Sequence, residues 1–240
     1  MARQTKKTNP NQTDLDSSWL EGPNALGLVT SRVEDAELVS ARRSQFVQSA
    51  IKVFCRKGYH SATVKEIAQE AGVSPGLIYQ YVNDKEEVLF LSIQLIVYTL
   101  KNGLPQAFHS TSNPLRRFYA CFEAYCRVVD LHRDSSLLTY RETSSLSKPH
   151  RDFIKDMELE TNEIIAIAVR ECIQAEYFEK VNVELFVYHT IITAQAWALK
   201  YWRLAKITDL DEYIAVNARF LMSSVLTEKG REEFEKVLAG

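Results

Sequence analysis

An all-α protein is predicted by three features of the sequence. Apolar residues recur three and four positions apart from about residue 40 to near the C-terminus, the period of one helix face. Ser, Thr, Asp or Asn stands at the head of several of these stripes, as helix starts require. No run alternates apolar and polar as a half-buried strand does. Glycine and proline, 8 and 6 in 240 residues, are sparse enough to leave long helical segments uninterrupted.

Taken in order, residues 1–38 are polar and rich in Asn, Thr, Gln and Ser, and read as a flexible extension, with "VEDAELVSARRS" as an early start for the first helix. In "ARRSQFVQSAIKVFCRKG", Phe46, Ala50, Val53 and Phe54 form one stripe and Gly58 is a C-terminal stop. Thr63, with Glu66 three residues on, is a capping box that opens a helix of barely two turns ending at Gly72. Ser74 caps a short helix with Pro75 at its first position, expected to run to Val82. Asp84 caps a longer one, with acids in its first turn and Lys101 in its last. Further helices are expected from Asn113 and Pro114, over about 135–146, from Pro149 to about Phe178, in "VELFVYHTIITAQAWALKYWRLA", and in "LDEYIAVNARFLMSSVLTEK".

Net charge is −2, so any nucleic-acid binding must come from a local patch. The four cysteines, Cys55, Cys121, Cys126 and Cys172, form no CxxC pair and read as buried free thiols of a reducing cytoplasm. No histidine spacing suits a metal, and no nucleophile–base pair or dinucleotide fingerprint points to catalysis. No cofactor is expected. The apolar runs "VLFLSIQLIVYTL" and "LFVYHTIITAQAWAL" fall short of the roughly 20 residues that span a bilayer. No leader peptide is apparent, which gives a cytoplasmic protein with no membrane partner.

Two short helices joined by a Gly-containing turn make a helix-turn-helix. Ile67, Ala68 and Ala71 are expected to face inward on the first, and Ile78 and Val82 on the second. Pro75, Gly76, Leu77, Tyr79, Gln80 and Tyr81 are left for the outer face, which lacks charge. Such a face suits DNA better than water. Tyrosine hydroxyls and backbone N–H groups bond phosphates, and small or apolar groups meet base edges and thymine methyls. Lys85, ill-placed for its own helix dipole, is expected to reach a phosphate.

The stretch "AIKVFCRKGYHSATVKEIAQEAGVSPGLIYQYVNDKEEVL" resembles the DNA-binding domain of the TetR family of bacterial transcriptional regulators. The set Phe54, Gly58, Tyr59, Thr63, Ile67, Ala68, Ala71, Gly72, Val73, Ser74, Tyr79, Tyr81 and Lys85 carries the likeness, over about a fifth of the chain. Val82 stands where most members carry phenylalanine, and Pro75 and Leu77 where polar or small residues are usual. The resemblance implies a three-helix DNA-binding domain over 39–86 and a larger helical ligand-binding and dimerisation domain over 87–240. It implies phosphate contacts from Thr63, Tyr79, Tyr81 and Lys85. Lys65, Ser74, Pro75, Gly76, Leu77 and Gln80 would then face bases or their margins. Residues 41–90 hold seven basic and five acidic side chains, so affinity is expected to rest on placement and dimerisation over a palindromic operator.

The family's members release DNA when a small molecule occupies the larger domain. The "YRET" segment, followed by the helix that begins near "KPHRDFIKDMELE", resembles the branch that senses acyl-CoA thioesters, fatty or aromatic. The expected acyl contacts are Tyr98, Phe122, Tyr125 and Trp197, with His189 among them, and the expected phosphate-binding cations are Arg116, Arg117 and Arg141. A hydrophobic-drug sensor and a ligand-independent DNA-binding protein are the alternatives.

Overall fold

The structure, a computed structural model, describes residues 28–239. Eleven α-helices occupy these residues, and no strand does; one isolated antiparallel bridge joins Phe178 and Leu226. The expectation for residues 1–27 lies outside the described residues.

Helix α1 (Ala36–Lys57) is capped by Asp35, whose side chain accepts from the Leu38 N–H. Helix α2 (Val64–Ala71) opens on the expected capping box, Thr63 with Glu66, and ends at Gly72 in the left-handed region, φ 70°. Helix α3 (Pro75–Ile78) is capped by Ser74 and is shorter than expected; residues 79–81 continue as turns, not helix. The three helices enclose Phe46, Ala50, Phe54, Ile67, Ala68 and Ile78, all buried.

Helix α4 (Lys85–His109) is capped by Asp84 and continues through Gly103 and Pro105, two turns past its expected end. At 25 residues it is long and apolar enough to cross a bilayer, contrary to the length of its apolar run alone. Its sides are instead covered by α5 (Pro114–Leu131), α6 (Arg133–Glu142) and α7 (Lys148–Gln174), and thirteen of its residues are buried. It belongs to both expected domains, so the boundary at residue 86 falls inside its first turn.

A 3-10 turn, Thr143–Ser145, leads into α7. Helix α8 (Val183–Leu199) breaks at Lys200 before the short α9 (Tyr201–Leu204). The helix expected over 210–229 ends early, as α10 (Leu210–Ser223), and a further helix, α11 (Glu228–Ala239), follows. Between them the chain turns back, with Glu179 N–H on the Val225 carbonyl at 2.7 Å and Thr227 N–H on the Tyr177 carbonyl at 3.0 Å. Gly230 lies so close to that connection that a Cβ would sit 2.0 Å from the Tyr177 oxygen. This long-range contact splits a segment that its local periodicity reads as continuous.

Two further expectations are corrected. Residues 28–35 are not loose, since Val29 is buried and its carbonyl accepts from the buried Arg43, while the early start expected for the first helix is found at Ala36. Cys55 is exposed, whereas Cys121, Cys126 and Cys172 are buried free thiols.

Candidate nucleic-acid interface and effector cavity

One face of the N-terminal unit brings Thr63, Lys65, Ser74, Pro75, Gly76, Tyr79 and Gln80 to the surface, with Leu77 half-buried at its edge. Helix α3 carries no charge on this face. Gly76 meets nothing within 4 Å of where a Cβ would lie and has no positive φ. The fold therefore has no need of a glycine that costs up to about 1 kcal/mol in a helix. A close approach by another molecule would supply the reason.

Two expected contacts are corrected. Tyr81 is 3% exposed and packs edge-on against Phe46 at 5.7 Å, with its carbonyl held by Arg43 at 2.9 Å and 3.0 Å. It is core, because the chain leaves helical geometry at Tyr79 and the side chain swings under α1. Lys85 is turned inward as well. Its ammonium donates to the carbonyls of Tyr59, His60 and Ala62 at 2.9 Å, 3.2 Å and 2.9 Å, and lies 4.4 Å from the Tyr59 ring centre. With three carbonyls occupying its donors, Lys85 ties the loop before α2 to the start of α4.

A cavity of about 340 Å³ lies between α4, α5, α6, α7 and α8. Ile96, Val97, Leu100, Val129, Ile154 and Ile192 supply an apolar wall. The polar groups are Tyr125, whose hydroxyl accepts from Gln195 Nε2 at 3.3 Å, and Ser136, Thr139, Thr143, Thr161 and Glu158. Burial pushes the Tyr125 phenol up, so it stays a neutral donor. Burial also raises the Glu158 carboxyl, which has no ion pair among the described residues. Tyr140, 66% exposed, and Lys155, also exposed, form the rim.

Of the expected ligand residues, only Tyr125 lines this cavity. Phe122 is fully buried in the core beyond it, and Tyr98 is half-buried beside Val97. Trp197 is buried with its indole N–H on Asp130 at 2.7 Å and its ring against Tyr201 and Tyr213. His189 is exposed on α8. Arg117 is spent on Glu171, the Thr111 carbonyl and the Phe108 ring. Arg116 reaches the Lys236 carbonyl at 3.4 Å, near the far end of α5. Arg141 is exposed and follows Tyr140 of the rim. The missed cavity residues had one legible signal: Ile154, Glu158 and Thr161 stand four and three apart, on one face of α7.

His132, between α5 and α6, stands one turn from both Val129 and Ser136 of the cavity wall and 3.4 Å from Thr99 Oγ1. Burial holds its imidazole down, to about 4. A folded pKa below the unfolded value means that the unfolded chain takes up the proton first. Stability from this site is complete above about pH 6.5 and is lost as pH falls toward 4, by about 2 kcal/mol between pH 7 and 4.5. Urea unfolding of wild type and His132→Gln across this range should show their difference shrinking at low pH. A constant difference would remove His132 from the acid response.

The sequence profile described as "Bacterial regulatory proteins, tetR family" matches residues 46–91. The HTH-type transcriptional regulator HbdR of Aromatoleum sp. (strain CIB) is 39% identical over 209 residues, 87% of this chain and 91% of the relative. Among solved structures, the ketosteroid transcriptional regulator KstR2 of Mycobacterium tuberculosis overlays with a TM-score of 0.69 at 21% identity, covering 83% of this chain and 100% of the other. AibR, solved with isovaleryl coenzyme A and operator DNA, overlays at 0.67 with 17% identity, over 75% and 98% of the two chains. A relative 39% identical over most of both chains, a family profile over residues 46–91 and a shared all-helical architecture agree. The chain belongs to the TetR family, a family of DNA-binding transcriptional regulators rather than enzymes.

Proposed function

We propose that this regulator is a repressor that binds a palindromic operator as a homodimer and is released by an acyl-CoA thioester. The observation that carries the effector reading is the cavity. It is mostly apolar, has a few converging polar groups, and falls within the usual range of small-molecule sites, about 300–1,000 Å³. A fatty or aromatic acyl group of modest size suits it. Tyr125 remains the central contact, Arg141 is kept, and Lys155 takes the place of Arg116 and Arg117 among the cations for the CoA phosphates. That AibR was solved with an acyl-CoA and operator DNA supports the class of effector.

The DNA would lie against Thr63, Lys65, Ser74, Pro75, Gly76, Leu77, Tyr79 and Gln80, in the cell's cytoplasm. Helix α4 starts at this face and forms part of the cavity wall from Ile96 to Leu100. Lys85 and Ile96 are about 16 Å apart along one rod at about 1.5 Å per residue. Tilting the rod would change the spacing of two recognition helices held about 34 Å apart on one face of the duplex. A hundredfold release needs about 2.7 kcal/mol of difference between effector affinities for the two arrangements.

Titrating fatty and aromatic acyl-CoAs, the free acids and free CoA into the protein–operator complex tests this. At least one thioester should release DNA a hundredfold, and Tyr125→Phe or Lys155→Ala should blunt the response. Release by unrelated apolar compounds and by no thioester would favour a hydrophobic-drug sensor instead.

A further inference from the structure

The face assigned to DNA is short of cations. Helix α3 has none, and Lys85 is held by three carbonyls of its own chain. Lys65 remains on the α2 side. A strap formed by residues 28–33 runs along the unit just ahead of α1. Arg43 Nη2 holds the Val29 carbonyl at 2.8 Å, and Asn83 Nδ2 donates to Thr30 Oγ1 at 2.9 Å. Two bonds then converge on the carbonyl of Gln80, from Ser31 Oγ at 3.2 Å and from the Arg32 N–H at 2.8 Å.

Arg32 is thus fixed by its own backbone to a residue of the recognition element. Its side chain is exposed and makes no ion pair or hydrogen bond to any described residue. Glu34 and Asp35 lie nearby in sequence, but neither forms an ion pair with Arg32. A planar guanidinium at the margin of a groove-facing helix is suited to a phosphate.

We propose that Arg32 is a DNA-backbone contact, placed by the strap beside Gln80 at the end of the recognition element. This rests on the reading that α3 faces the groove. The strap also reaches the effector domain: the Leu28 carbonyl lies 3.2 Å from His150 Nε2 of α7, one turn before the cavity residue Ile154. The position of Arg32 therefore depends on the same helix that the effector would touch.

The test is operator binding by fluorescence anisotropy over a salt series, with the dimeric full-length protein. Arg32→Ala removes two phosphate contacts per dimer. Each contributes about 0.9 to the slope of log K against log salt, so the slope should fall by about 1.8 and affinity by about thirtyfold at 0.15 M salt. Arg32→Lys should recover most of the slope, because the charge is kept. Lys85→Ala should lower the melting temperature and leave the slope unchanged. Tyr79→Ala and Gln80→Ala report on the underlying reading: if both leave operator binding intact, α3 is not the DNA face. If they weaken binding while Arg32→Ala keeps the wild-type slope, the assignment of Arg32 is overturned and that of α3 stands. Lower affinity in Arg32→Ala with an unchanged slope would also overturn it, since the strap would then act only through packing.

Discussion

Phe220→Glu is expected to yield a monomer and to lower operator affinity more than a hundredfold. Phe220 is 71% exposed on α10, with Val216 one turn away. Leu185 and Tyr188 form a matching exposed pair on α8, continued by Ile192 at the mouth of the cavity and by Trp202 of α9. A row of large apolar side chains in water is the signature of an interface. Two copies related by a two-fold axis would bury α8 and α10 in a four-helix contact, with the small Ala196 and Ser223 allowing close approach. Burying a carboxylate there on each side opposes association without touching the fold of either copy. A monomer must bind through one recognition helix and forfeits the effective concentration that the second half-site supplies, commonly worth 10²–10⁴. Sedimentation velocity and operator anisotropy check both halves. A variant that stays dimeric with full affinity would place the interface elsewhere.

Phe90→Ala is expected to lose about 4 kcal/mol of stability, the range for a fully buried phenylalanine. The ring lies where α4 meets α7. It stacks on His150 at 4.1 Å and 13° and meets Phe153 edge-on at 5.6 Å. His150 Nδ1 also lies 2.9 Å from both oxygens of Glu86, whose Oε1 accepts from the Ser147 N–H at 2.7 Å. These contacts join the first two turns of α4 and α7, the two helices that flank the cavity. The midpoint of urea unfolding measures the loss. A change under 1 kcal/mol would mean that the surrounding side chains close the space left by the ring. Phe90→Leu keeps more of the volume and should fold, while weakening effector-driven release of DNA.

Much of the N-terminal unit was legible because its signals are local. The Thr63–Glu66 box, Gly72 in the left-handed region, Ser74 with Pro75, and Asp84 each act within four residues, and each appears as expected. The outward face was legible wherever helical geometry held. It failed at Tyr81, where a turn ended α3 early and rotated the side chain into the core. Lys85 departs from its expected place for a related reason. A lysine at a helix N-terminus is unfavourable for the dipole, which suggested an external partner, whereas three carbonyls of the preceding loop meet it from 23 to 26 residues away.

The effector cavity was far less legible. Aromatic residues at helical spacing fill cores and line cavities alike, and only Tyr125 of those expected borders the empty space. Phe122 and Trp197 fill the core and Arg117 is consumed by Glu171, outcomes set by which helix lies opposite. By itself, then, the sequence determined the all-α class, the helix-turn-helix, its caps and the family, because periodicity, capping and turn chemistry are properties of neighbouring residues. The tertiary structure alone decided the cavity, the inward turn of Tyr81 and Lys85, the break between α10 and α11, and the strap that sets Arg32 beside Gln80. Each depends on side chains distant in sequence competing for one volume or one hydrogen-bond partner, and no local pattern records which of them wins.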